Sequence, residues 1–98
     1  MSKFLEIINQ NKPVLIDFFA DWCGPCKTMS PILKDVKSVL GDKVSIIKIN
    51  VDKNQSLAAK YQVRGVPTFL LFKDGKQVWR LSGIIQKEEL LNIISKNN

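Results

Sequence analysis

The stretch Val14-Leu15-Ile16-Asp17-Phe18-Phe19-Ala20 is apolar at odd and even positions alike, with Asp17 the one interruption. A strand of that kind has no face to give to water, so it belongs in the middle of a sheet with other elements packed above and below it. The rest of the chain supplies those elements. Phe4, Leu5, Ile7 and Ile8 follow Ser2, a natural cap, at helical spacing, and Asn9 to Pro13 stops the run. From Pro25 onward Met29, Ile32, Leu33, Val36 and Leu40 share one face of a helix that Gly41 ends, with Lys27, Lys34, Asp35 and Lys37 outside the stripe.

Val44 to Ile49 is a second β-rich run, and strand, helix and strand in succession make a right-handed crossover between parallel strands. Asn54 to Tyr61 reads as a short helix with Leu57, Ala58 and Tyr61 inward. Pro67 opens a strand over Thr68 to Phe72, and Lys73-Asp74-Gly75-Lys76 turns it into an antiparallel partner over Gln77 to Leu81. Gly83 breaks the pattern. Leu90, Leu91, Ile93 and Ile94 then mark a closing helix that frays at Lys96-Asn97-Asn98. This order implies an α/β fold, a mixed four-stranded sheet flanked by helices on both faces. Phe18, Met29, Tyr61 and Phe72 belong to its core, and Trp79 is assigned to packing.

Ninety-eight residues, 45% of them hydrophobic, suffice for a single domain over residues 1–98 with a core of its own. The net charge is +6, but the lysines are spread in ones and twos from Lys3 to Lys96. A nucleic-acid footprint would show a basic stripe with interleaved aromatics, so no nucleic acid is expected and the excess would instead favour acidic protein partners. The Val14 to Ala20 run is too short for a membrane, and Met1 to Asn11 carries Lys3 and Glu6 among its apolar residues. With no export signal or span in view the expectation is a reducing cytoplasm, where a lone vicinal cysteine pair is more often catalytic than structural.

That pair is Cys23 and Cys26, the only two cysteines, in Trp22-Cys23-Gly24-Pro25-Cys26. The motif follows the carboxyl end of the central strand, where open sheets of this kind carry their sites. Cysteines one helical turn apart can be held as two thiols or as one disulfide with little backbone motion. Pro25 has no N–H to lose and suits a first helical turn, so the Cys23 sulfur should lie beside unpaired N–H groups and the positive end of the helix dipole. Cys23 is therefore assigned as nucleophile and Cys26 as resolving thiol, the latter expected to be more buried and to titrate higher. The alternatives are an inert bridge or a metal site. With no histidine and no third cysteine one chain cannot complete a tetrahedral zinc site, which leaves a cluster shared between two subunits.

Two charged residues interrupt apolar strands. Asp17 would be desolvated and its pKa raised, ready to accept a proton near neutral pH, unless it bonds a nearby backbone group. Lys48, within Ile46-Ile47-Lys48-Ile49, could approach that carboxylate from a neighbouring strand or reach out to water. Asn50 and Asp52 read as loop or capping groups.

The string Asp17-Phe18-Phe19-Ala20-Asp21-Trp22-Cys23-Gly24-Pro25-Cys26-Lys27, together with Arg64-Gly65-Val66-Pro67-Thr68, strongly resembles the thioredoxin family. Pro31, Lys48-Ile49-Asn50-Val51-Asp52, Lys73-Asp74-Gly75 and Gly83 also fall at family-like places, so the resemblance covers nearly the whole chain. It implies the thioredoxin-like fold and a thiol–disulfide oxidoreductase that reduces protein disulfides, an electron-transport role in cell redox homeostasis. No bound cofactor or metal is implied beyond the redox-active Cys23–Cys26 pair. The implied partners are disulfide-containing client proteins and thioredoxin reductase, with no membrane, and the implied state is a monomer.

The resemblance also assigns roles. Asp17 would lie beneath the dithiol and help deprotonate Cys26, with Lys48 modulating the transfer. Gly24 and Pro25 complete the active-site motif and resemble the reducing members more than the oxidases and isomerases. Pro67 would be cis and face the dithiol, leaving the Val66 N–H and C=O free to pair with a substrate strand. Trp22, Gly65, Val66, Gly83 and Ile84 would form an apolar collar for clients. Family members commonly open with a further strand, for which Met1-Ser2-Lys3 leaves no room, so one strand fewer than the usual five is expected. Phe19 stands where many relatives have tryptophan, and the chain is more basic than many bacterial members. A binding module in which the dithiol is incidental is the reading from a different class.

Overall fold

In a computed structural model describing residues 2–98, with side chains from Lys3 onward, nine elements follow one another. They are α1 (Ser2–Ile8), β1 (Val14–Phe19), α2 (Gly24–Leu40), a 3₁₀ turn (Gly41–Lys43), β2 (Ser45–Asn50), α3 (Gln55–Lys60), β3 (Thr68–Lys73), β4 (Lys76–Ser82) and α4 (Lys87–Lys96). The sheet order is β2-β1-β3-β4, with β1 parallel to β2 and antiparallel to β3, and β3 antiparallel to β4.

β1 lies inside the sheet, as its two apolar faces require. Val14, Ile16 and Phe18 join a cluster closed by Phe4 and Ile8 of α1 and Ala58 of α3. Leu15 joins the opposite one, closed by Met29, Leu33 and Val36 of α2 and by Leu90 and Ile94 of α4. Val14, Leu15, Ile16 and Phe18 have no exposed surface, each contributing about 1.5–3 kcal/mol relative to an exposed side chain. The same alternation places Asp17 on Leu15's face, under α2, in register with Lys48 of β2 on one side and Phe69 of β3 on the other.

Two backbone features shape the ends of these elements. α2 stops where Gly41 takes a φ of 55° and returns its N–H to the Lys37 carbonyl. The β3–β4 hairpin turns on Asp74 and Gly75, whose φ values of 52° and 80° are the pair of left-handed conformations a tight two-residue turn needs. The N–H groups of those two residues bond the Gln10 and Ile8 carbonyls, which ties the hairpin to the end of α1.

The expected element order holds, with ends displaced. β1 stops at Phe19, one residue before Ala20, β2 extends to Asn50, and α3 ends at Lys60 with Tyr61 as its cap. The backbone of Ser2 belongs to α1, and the cap expected of its side chain lies outside the described residues. No helix among the described residues is long and apolar enough to cross a membrane.

Candidate active site

β1 gives way at Ala20 to a turn in which the Cys23 N–H bonds the Ala20 carbonyl at 3.2 Å. Cys23 keeps an extended backbone, φ −92° and ψ 112°, and caps α2. An oxygen side chain usually accepts a first-turn N–H at such a cap. Here the Cys23 Sγ does so, accepting from the Cys26 N–H at 3.1 Å. Cys23 and Cys26 are joined as a disulfide, their Cα atoms 5.3 Å apart. Negative charge released onto Cys23 by reduction would fall on a sulfur already aligned with a backbone donor and the positive end of a helix of seventeen residues.

The relative burial of the two cysteines is the reverse of the expectation: Cys23 is 3% exposed, whereas Cys26 is half-buried. The loop leaving β1 folds Cys23 inward over buried Ala20, and the Val66 carbonyl covers its sulfur at 3.6 Å. A disulfide sulfur carries no proton, so this approach is a contact and not a hydrogen bond. Cys26, one turn further into α2, borders an open pocket of about 160 Å³ that also touches Phe19, Asp21, Lys27 and Lys48.

Asp17 is 3% exposed and its Oδ1 has no hydrogen-bond partner. Burial raises its pKa from 3.8 to about 6, against the opposing pull of Lys48. Lys48 itself is exposed, with its ammonium 4.9 Å from the centre of the Phe19 ring. It therefore acts on Asp17 through its field, from beside it in the sheet, while its head stays in water.

On the other side of the sulfurs, the Val66-Pro67 peptide is cis. Among the described residues, neither the N–H nor the C=O of Val66 pairs with another backbone group. Gly65 and Val66 line a shallow pocket of about 110 Å³ together with Trp22, Val63 and Arg64. Trp22, next to Cys23 in the chain, is 71% exposed, and Ile84, beyond Gly83, is 53% exposed. Ile84 lines neither pocket. Gly83, at a φ of 115° that disfavours any side chain, donates its N–H to the Pro67 carbonyl at 2.9 Å. Gly24 and Gly65 have open space where a Cβ would stand. Among the described residues, no group of three or more His, Cys, Asp or Glu side chains could hold a metal ion.

Two hydrogen-bonded ties in this neighbourhood go beyond the loop or capping role expected of Asn50 and Asp52 and the strand start expected of Thr68. Asp52 accepts the Trp22 indole N–H at 2.9 Å, holding the ring against the loop after β2, while Asn50 caps that loop by accepting the Asp52 N–H. Thr68 is fully buried, and its hydroxyl bonds the Gly65 carbonyl at 2.7 Å and the Ser82 hydroxyl at 2.8 Å. The Trp22–Asp52 contact joins residues thirty positions apart, so no local pattern announces it. Thr68 had one signal, a polar residue at the mouth of an apolar strand.

A sequence model of the thioredoxin family matches residues 1–96. The chain is 41% identical to thioredoxin of Rickettsia felis over 92 residues, which are 94% of this chain and 88% of that protein. It is 45% identical to chloroplastic thioredoxin Y of Oryza sativa over 95% of its own length, and spans 56% of that relative. Among solved structures, a mutant thioredoxin from Halobacterium salinarum superposes with a TM-score of 0.89 at 38% identity, covering 99% of this chain and 84% of the other. The four-stranded mixed sheet, the Cys23–Cys26 disulfide capping α2 and the match along almost the whole length converge: this chain belongs to the thioredoxin family.

Proposed function

We propose that this protein reduces disulfides in client proteins by cycling between a Cys23, Cys26 dithiol and the Cys23–Cys26 disulfide. In the first step the Cys23 thiolate attacks one sulfur of the client disulfide, forming a mixed disulfide and expelling the other client sulfur as a thiolate. Cys26 then gives its proton to Asp17 and attacks the Cys23 Sγ, which closes the Cys23–Cys26 bond and releases the second client sulfur. Two electrons pass to the client. An external reductase of the thioredoxin reductase kind returns two electrons and restores the dithiol. The reading takes residues 1–98 as one domain, monomeric and cytoplasmic. Trp22, Gly65, Val66, Pro67, Gly83 and Ile84 serve as the docking collar and Lys48 tunes Asp17.

One observation carries the proposal: the Cys23 sulfur accepts a first-turn N–H of α2 while lying against the carbonyl of Val66, a residue with no backbone partner. An inert bridge needs neither a helix end nor a free peptide edge beside it. Replacing the resolving thiol tests this directly. Cys26→Ser should accumulate client proteins linked through Cys23, recoverable with dithiothreitol and absent from Cys23→Ser. If the double serine variant kept full biological activity, the fold would be acting as a binding module and the proposal would fail.

A further inference from the structure

β2 is one of the two edge strands of the sheet, β4 being the other. The Ser45 N–H donates to the Pro13 carbonyl and the Val51 N–H to the Phe19 carbonyl. At the two-residue period of a parallel ladder, the backbone groups of Val44, Ile46, Lys48 and Asn50 therefore point away from β1. Both ends of this edge are closed: Lys37 Nζ donates to the Val44 carbonyl at 2.7 Å, and Asn54 Nδ2 to the Asn50 carbonyl at 3.0 Å. Between them, the N–H and C=O of Ile46 and Lys48 have no partner among the described residues.

A groove borders this window on each face of the sheet. On the α1 and α3 side, Phe4, Ile47, Ile49 and Leu57 floor a groove of about 470 Å³, with Lys3 and Lys53 at its rim. On the α2 side, Leu33 and Ile46 floor one of about 200 Å³, bordered by Lys34, Lys37 and Lys48. Among the described residues, no carboxylate lines either groove. A strand added to an edge sends alternate side chains to opposite faces, so a free ladder segment between two grooves has the layout of a strand-addition site.

We infer that the β2 edge binds an extended acidic segment of a partner protein, with alternate apolar side chains in the larger groove and intervening carboxylates against the lysines on the α2 side. Charge selects this occupant. A second copy of the chain would bring the same lysines, and a net charge of +6, against themselves. Lysine on an exposed edge and capped strand ends are also the devices that discourage self-pairing. Neither groove includes Cys23 or Cys26, and Lys48, which borders both the α2-side groove and the Cys26 pocket, is left unchanged in the test.

The test uses the oxidised protein, ¹⁵N-labelled, and a short capped peptide alternating valine with glutamate. Saturating peptide should slow amide hydrogen exchange at Ile46 and Lys48 by about tenfold or more. The same peptide with lysine in place of glutamate should bind about tenfold more weakly or worse. Lys34→Glu, at an exposed position on the α2 side, should weaken the glutamate peptide by about tenfold while leaving insulin reduction unchanged, which also reports that the variant is folded. Equal binding of the two peptides, protection at β4 in place of β2, or no protection at all would each overturn the inference. So would protection of Ile46 and Lys48 that rises with protein concentration alone, since a second copy would then be the occupant.

Discussion

Asp17 is held against its own interest. Fully ionised, it would sit under α2 with one oxygen unbonded and an exposed lysine as its only counterweight, and that is why its pKa rises to about 6. The sign of the stability effect follows. Between about pH 4 and pH 6 the unfolded chain has already lost this proton and the folded chain still holds it, so folding grows less favourable as pH rises through that window. Above pH 6 the loss is complete, at about 3 kcal/mol. Asp17→Asn, which cannot ionise, should therefore be more stable than the parent by up to that amount at pH 7, the difference shrinking to near zero at pH 4. Urea denaturation of the oxidised forms at several pH values measures it, and a gap independent of pH would show that the carboxylate is not the strained group. Activity should move the opposite way. If Asp17 takes the Cys26 proton, Asp17→Asn should slow client reduction by about tenfold or more near pH 7 and much less at alkaline pH, where Cys26 ionises unaided. An equal loss at both would leave Asp17 without a role in proton transfer.

At the scale of elements, the Gly65-Val66 segment is fastened by a hydroxyl. Thr68 begins β3, pairs with Ser82 of β4 and holds the Gly65 carbonyl, so it fastens the Gly65-Val66 segment to the rigid sheet. Thr68→Val keeps the shape and leaves the Gly65 and Ser82 groups short of a partner, at a cost of about 1–3 kcal/mol. If Thr68 positions the Val66 backbone for clients, the variant should raise KM for a protein disulfide several-fold while leaving the rate with a small-molecule disulfide near the parent's. A uniform loss on both substrates would mean only that the fold had weakened. Such ties set the limit of what could be read from residues alone. The all-apolar β1, the helical stripe of Met29, Leu33 and Val36, the Asp74-Gly75 turn and the Trp22-to-Cys26 motif are local patterns, and each element they imply is present. The burial of Cys23 relative to Cys26 has no local signature, because the Cys23 sulfur is covered by the carbonyl of Val66, forty-three positions away. Lys48 could be read either as Asp17's partner or as a solvated lysine. The parallel register sets it opposite Asp17 in the sheet, and its side chain is exposed.

For the molecule as a whole, if the protein reduces client disulfides as proposed, its charge can select among them from a distance or at the point of contact. At about 0.01 M ionic strength the Debye length is about 30 Å. That matches the protein's own extents of 30 Å by 29 Å, so an approaching client feels the full +6. At about 0.15 M the length falls to about 8 Å, and only charges around the disulfide act. Lys27, Lys48 and Arg64 there face Asp21 and Asp52, three positive groups against two negative, close to balance. Because the lysines are scattered along the chain, the distant field would hasten encounter with an acidic client without orienting it. For a strongly acidic disulfide protein, kcat/KM should therefore fall by about tenfold between the two salt concentrations while kcat stays constant. For a basic client kcat/KM should rise over the same range, and the two should converge at the higher salt. If the acidic client instead keeps its advantage at 0.15 M, selection is exercised by Lys27, Lys48 and Arg64 at contact, and reversing those charges, not the remote ones, should abolish it.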